Sequence, residues 1–240
     1  MVKRAHRETN CLNLRNDSMA KYLSDIVLSS GKDFDPEFRF RFQIHFLEQL
    51  YIDHLPKVLT NGIFKVIIEA CGVLPPKKID NMVDVLKLNK LFDFETYFAA
   101  GKETRKRIAL EFLQDGLLEV AAIRDWETNP FHEAYKAVLA KNFVCYRPWS
   151  KPVTSPDRRY KAEVWCNFDS DKAEIFIVVF HRKEVMRKAL VTTVKPGNVS
   201  IRGAIGKLEW LSADKVQLSP RDGKNAWGAK KGTGIFTVSK

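Results

Sequence analysis

An α+β fold, with an antiparallel C-terminal sheet packed against helices and a smaller N-terminal α/β part, is what this 240-residue sequence predicts. Three observations carry that expectation. Apolar residues recur at helical spacing through residues 102–141. From residue 160 onward, alternating and β-branched runs follow one another with short turns between them, the pattern of consecutive antiparallel strands. Between the two regions Pro148, Pro152 and Pro156 stand among Ser150 and Ser155. That stretch is either a linker between a mixed part (1–147) and a basic β part (158–240), or a long surface crossing inside one integrated fold.

The elements follow in order. Ser18 to Ser30 reads as a short helix: Ser18 can cap it, Met19, Tyr22, Leu23, Ile26 and Val27 form its apolar side, and Gly31 can stop it. The next segment fits two templates. Phe38, Phe40, Phe42, Ile44 and Phe46 alternate with polar residues, the mark of a half-buried strand. Yet Asp35-Pro36-Glu37 resembles a helix start, and Phe38, Phe42, Phe46 and Leu50 sit at helical spacing. The alternation favours a strand to about Phe46, with a helical turn before Pro56. Ile63 to Ala70, β-branched and preceded by the turn pair Asn61-Gly62, reads as a strand. Val83, Val85 and Leu88 mark another.

Two amphipathic helices come next, at about 102–124 and 130–141. The first carries Ile108, Phe112, Leu113, Leu117, Val120 and Ala121 on one face, with Glu103 placed to support Arg107. Gly116 weakens it by about 1 kcal/mol relative to alanine. The second opens on Asn129-Pro130 and turns Phe131, Ala134, Tyr135, Val138 and Leu139 inward. Strands are then expected at Tyr160–Phe168, Ala173–Phe180, Val185–Val194, Ile205–Leu211, Val216–Leu218 and Gly234–Val238. Asp169-Ser170-Asp171 makes the first turn among them. Ala173–Phe180 is apolar on both faces and predicts a central strand covered on both sides. Trp165 falls on the otherwise polar face of its strand, which predicts a cover for that face, naturally the helices of 102–141.

Composition bounds the function. Apolar residues make up 45% and charged residues 29%, ordinary for a globular chain. No apolar stretch approaches the ~20 residues of a membrane span, and the basic N-terminus has no apolar core behind it. Cys11, Cys71, Cys145 and Cys166 lack metal or redox spacing and read as reduced thiols, which with the missing leader predicts a cytoplasmic protein. Residues 1–150 hold 22 Lys and Arg against 20 Asp and Glu, a net of +2; residues 151–240 hold 18 against 9, a net of +9. The excess in the last third points to an anionic partner or to a well-solvated face.

Catalytic signatures are missing. The chain has no GxGxxG, GxxxxGK[ST], HExxH or GxSxG pattern. No cofactor and no metal is expected. Asp169-Ser170-Asp171 reads as turn chemistry rather than a metal motif, Asp93 and Glu95 as an exposed acidic turn, and the expected class is a non-enzymatic protein. The candidate binding residues are three basic clusters: Arg158, Arg159 and Lys161; Arg182, Lys183, Arg187 and Lys188; and Lys224, Lys230 and Lys231 with Arg221. They interleave with Trp149, Trp165, Trp210 and Trp227, as a nucleic-acid surface would require. Trp165 and Trp210 also fit as core residues.

Residues 93–143 carry Asp93-Phe94-Glu95-Thr96-Tyr97-Phe98, the helix Glu103–Ala122 and Asn129-Pro130-Phe131-His132-Glu133-Ala134-Tyr135. Ser155-Pro156-Asp157-Arg158-Arg159-Tyr160-Lys161-Ala162-Glu163-Val164-Trp165 follows. Together, over about half the chain, these resemble bacterial immunity proteins of secreted polymorphic toxins. The resemblance implies a cytosolic protein-binding module, an inhibitor of a cognate toxin, and carries over no functional residue. Its departure is charge: this chain is basic, so the toxin's contact surface would be acidic. The alternative is a nucleic-acid-binding protein using the basic C-terminal face.

Overall fold

The computed structural model describes residues 20–30, 37–221 and 234–237. In chain order these form β1 (Ala20–Tyr22), β2 (Asp25–Ser30), α1 (Glu37–His54), β3 (Leu59–Gly62), β4 (Lys65–Cys71), β5 (Ile79–Met82), β6 (Val85–Leu91), α2 (Phe94–Ala99), α3 (Lys102–Arg124), α4 (Asn129–Ala140), β7 (Cys145–Pro148), β8 (Val153–Thr154), β9 (Tyr160–Phe168), β10 (Ala173–His181), β11 (Glu184–Val194), α5 (Asn198–Ala204), β12 (Leu208–Trp210), β13 (Lys215–Leu218) and β14 (Gly234–Thr237). The class is α+β, with an antiparallel C-terminal sheet and a mixed N-terminal one.

The N-terminal sheet runs in the order β2-β4-β6-β5. Strands β2, β4 and β6 are parallel, and β5 pairs antiparallel with β6 at the edge. Helix α1 is the crossover between the parallel β2 and β4, as such a pairing requires. One face of the sheet presents Ile26, Leu28, Val66, Ile68, Leu86 and Leu88, all buried. It packs against α1 and α3. In α1 the buried set is Phe40, Ile44, Leu47 and Tyr51, a helical stripe. In α3 it is Leu110, Leu113, Leu117 and Val120.

Two expectations fail here. Residues 20–30 are strands, not a helix, because Ile26, Leu28 and Ser30 alternate into the core beside β4. The segment 37–54 is a helix, not a strand. Helix α3 spans the expected residues, but its Glu103 bonds Lys106 at 3.1 Å rather than Arg107. The strand expected around Val83, Val85 and Leu88 is β6, which begins at Val85; Val83 lies in the turn before it, at φ +49°.

Helices α1, α3 and α4 are joined by one buried phenol. The Tyr51 hydroxyl sits 2.5 Å from Gln114 Oε1 and 2.9 Å from the Phe131 carbonyl oxygen. Nearby, Phe40, Phe92, Phe94, Tyr97 and Phe112 pack as an aromatic nest, with centroids 4.7–5.6 Å apart. Glu48 on α1 is buried, accepting from the Leu28 backbone N–H at 2.7 Å and lying 2.9 Å from His45 Nδ1. Burial pushes its carboxyl above the usual range, against the pull of His45.

The C-terminal sheet runs β11-β10-β9-β7, with β8 also on β9, all antiparallel. Ala162, Val164, Cys166, Ile175, Ile177 and Val179 form its inner face and are buried. They belong to the same continuous core as the N-terminal sheet and its helices. The proline-rich stretch takes part in this sheet: Trp149 N–H donates to the Val164 carbonyl at 2.8 Å, and Val153 pairs with Ala162. The expected strand over 205–211 shortens to β12, and α5 precedes it. Strands β12, β13 and β14 make a small separate sheet. The Gly197 backbone, at φ +110°, lies so close to Phe42 that a Cβ would fall 2.5 Å from its ring, tying the start of α5 to α1.

Among the described residues, no helix is long and apolar enough to cross a membrane.

Candidate binding face

Strand periodicity builds this face. In β9, Ala162, Val164 and Cys166 point inward, so Lys161, Glu163, Trp165 and Asn167 point outward. Register then fixes their neighbours: Trp165 lies opposite Phe176 and Pro148, Lys161 opposite Phe180, and Phe176 opposite Leu190. Central position is confirmed for β10, but its outer side is covered only in part, at Val178. Trp165, Phe176 and Phe180 are only half-buried on this outer face. The helices meet the sheet elsewhere, α1 at β7 and α5 at β11. On the α1 side, Arg147 Nη1 donates to Gln49 Oε1 at 2.9 Å.

The outer face carries a ring cluster. Tyr146 lies 4.8 Å from Trp165 and 5.8 Å from Phe176, centroid to centroid. Lys188 Nζ caps it, 3.9 Å from the Tyr146 centroid and 4.2 Å from that of Phe176. A cation at that distance is held by the negative ring faces, worth about 0.5–1 kcal/mol at a site open to water, as Lys188 is. Trp165 Nε1 donates to Glu163 Oε2 at 2.9 Å, which fixes the indole. Burial raises the Tyr146 phenol above its ordinary range.

The first two basic clusters converge. His181 pairs with both Tyr160 and Glu184, so the turns before β9 and before β11 lie at the same end of the sheet. Arg158, Arg159, Lys161, Arg182 and Lys183 therefore gather there. Arg159 is already paired with Asp157, whose carboxyl is held down to about 2 by Ser155 and by that guanidinium. Arg187 and Lys188 lie further along β11; opposite Val179 and Val178 respectively, they point to opposite faces. Lys224, Lys230 and Lys231 lie outside the described residues, as does Trp227. Trp210 is a core neighbour that donates to the Val153 carbonyl at 2.9 Å. Sequence reading missed Tyr146, since β7 is four residues ending in proline, and it assigned Phe176 and Phe180 to a covered strand.

Other polar clusters resolve as architecture. Asp169 and Asp171 sit in the β9–β10 turn facing the start of α3. Lys102 Nζ lies 2.5 Å from Asp169 and 3.5 Å from Asp171, and Lys106 Nζ 2.9 Å from Asp169. Burial opposes the Asp169 charge, yet Lys102 and Lys106 hold its carboxyl below the usual range. Cationic neighbours of this kind disfavour a metal, and no metal-holding group of side chains is found among the described residues. Asp93 caps α2, accepting from the Thr96 backbone and hydroxyl at 2.9 and 2.6 Å, while Glu95 lies in the helix's first turn. Cys145 and Cys166 are buried free thiols whose pKa values burial pushes up to about 12.

Two clefts remain. One of about 750 Å³ is lined by Leu59, Asn61, Val83, Arg124 and Trp126, at the amino-terminal ends of β4 and β6. The other, about 510 Å³, is lined by Trp149, Arg202, Lys207 and Arg221. Comparison of the chain with protein-family models, with curated proteins and with solved structures finds no match.

Proposed function

We propose that this chain is a non-enzymatic, cytosolic protein-binding module, an immunity-type inhibitor that covers a site on a partner protein. It meets that partner with the outer face of its C-terminal sheet. The observation that carries the reading is the half-buried cluster of Tyr146, Trp165 and Phe176 under Lys188. Rigid aromatics beside a cation, in a well-packed patch, are the groups on which protein interfaces concentrate their energy. The surrounding cations favour an acidic partner surface.

A second reading, single-stranded nucleic acid, draws support from the same rings and from the basic end of the sheet. Charge on the face itself weighs against it. Glu163 and Glu174 share the face with the rings, and Glu174 accepts from Asn167 at 3.0 Å. A phosphate backbone carries a charge at every nucleotide and would run over both, whereas an acidic protein surface carries its charges at separate positions and can leave apolar groups against the rings.

The test mixes the purified chain with the product of the neighbouring gene. A one-to-one complex that survives nuclease and weakens about tenfold or more on Trp165→Ala is expected, the loss typical of an interface anchor. Absence of any complex at micromolar concentration, or indifference to Trp165→Ala, overturns the reading. Binding of DNA or RNA at low salt that falls steeply as salt rises would favour the second one.

A further inference from the structure

We propose that β11 is a docking strand: the partner adds an extended acidic segment to its free edge, continuing the C-terminal sheet. This rests on the protein-binding reading above and specifies its geometry. Strand β11 is 11 residues long and pairs with β10 along one edge. Among the described residues no strand pairs with its other edge. An edge of this length presents a row of unpaired backbone N–H and C=O groups, the template that strand addition uses. Its side chains suit an interface. Val185, Met186 and Leu190 are 58%, 51% and 51% exposed.

Charge selects the occupant. Arg182, Lys183, Arg187 and Lys188 stand on or beside the edge against the single Glu184. Among the described residues, Arg182, Lys183 and Arg187 have no carboxylate within ion-pair distance. A second copy of β11 would set like charges against one another, which is destabilising across a strand pair. An acidic strand would pair them. Register sharpens this. The β10–β11 ladder shifts between Ile175 and Phe176 and again between Val179 and Phe180, leaving a regular stretch at Arg187–Leu190. Shifts of this kind bend an edge and limit how far pairing extends. Arg187 and Lys188 are consecutive there and point to opposite faces. The incoming segment therefore needs an acidic residue against Arg187 and a second beside it on the outer face, where Lys188 lies over the rings, flanked by β-branched residues against Leu190 and Val185.

The test uses a blocked hexapeptide of sequence Val-Thr-Glu-Glu-Val-Thr, added at millimolar concentration to the isotopically labelled full chain. Saturable shifts and slowed amide exchange confined to β11 are expected. Two controls discriminate: the same peptide N-methylated at alternate residues should not bind, and Arg187→Glu should weaken binding about threefold or more, scaled from cross-strand charge pairs. Arg187 is exposed, and the amide spectrum verifies that the variant folds. Silent β11 amides, binding that survives N-methylation, or an oligothymidylate shifting the same amides in place of the peptide would each overturn the proposal. The complex with the neighbouring gene's product separates this proposal from the broader reading. If it forms and tolerates Arg187→Glu, strand addition fails while protein binding stands; if it does not form, the broader reading fails whatever the peptide does.

Discussion

Gly116 shows how a residue can be penalised locally and required globally. In the middle of α3 glycine costs about 1 kcal/mol against alanine. A Cβ there would fall 2.8 Å from Ile68 Cγ2 and 3.0 Å from its Cδ1, and Ile68 is wholly buried in β4. Forcing a methyl into such a contact costs roughly 1–3 kcal/mol, more than the helix gains. Gly116→Ala is therefore expected to lower stability by about 1 kcal/mol, the difference of those two effects, read as a lower urea midpoint at unchanged slope. A rise in the midpoint would mean the helix and sheet can part at no cost. The sequence showed the helix and its glycine, but not that a strand from residues 65–71 approaches at that turn.

At the scale of elements, the start of α3 carries Lys102, Arg105 and Lys106 against the single Glu103, an excess of the wrong sign for the positive end of a helix dipole. The Asp169–Asp171 turn supplies further anions from a distant part of the chain. The Asp169 pKa is depressed in the folded state. The stabilisation is therefore present above its unfolded value, near 3.8, and is lost as pH falls through the lower folded value. Asp169→Asn should accordingly destabilise the protein at pH 7. The gap from the wild type should narrow as pH drops below about 4, measured by urea unfolding across pH 3–7. A gap that does not change with pH would remove the carboxylate's charge from the account.

Element legibility follows the same logic of long-range partners. Residues 38–46 match a strand by alternation and a helix by four-residue spacing, because phenylalanine or, at 44, isoleucine occupies every second position. What decides is the burial of Phe40, Ile44, Leu47 and Tyr51 against β2, which local sequence does not record. Residues 22–27 fail for the converse reason: their apolar spacing fits a helix, and only pairing with β4 makes Ile26 and Leu28 a strand face. The helices α3 and α4 and the strand β9 were legible because each carries one clear period, and β10 and β11 because their apolar and β-branched runs follow one another across short turns.

At the scale of the whole molecule, the described residues share one contiguous core. Phe131 on α4, Val66 in β4 and Ile177 in β10 belong to the same buried cluster. Arg147 and Gly197 tie the C-terminal part to α1. Calorimetry is expected to show a single transition whose calorimetric and van't Hoff enthalpies agree. Two resolved transitions would make 1–147 and 158–240 independent units. The binding face was only partly legible at this scale. Its basic residues could be named from sequence, but their convergence depends on strand register, and Tyr146 joins the rings only because β7 pairs with β9.

The placement of the tryptophans gives the molecule a built-in optical asymmetry. Trp126, Trp149 and Trp210 pack on the core, whereas Trp165 stands on the outer face, its indole N–H held by Glu163. Indole emission follows local polarity. Among the described residues, then, the colour of the fluorescence that responds to events on that face belongs to one chromophore, with no label attached.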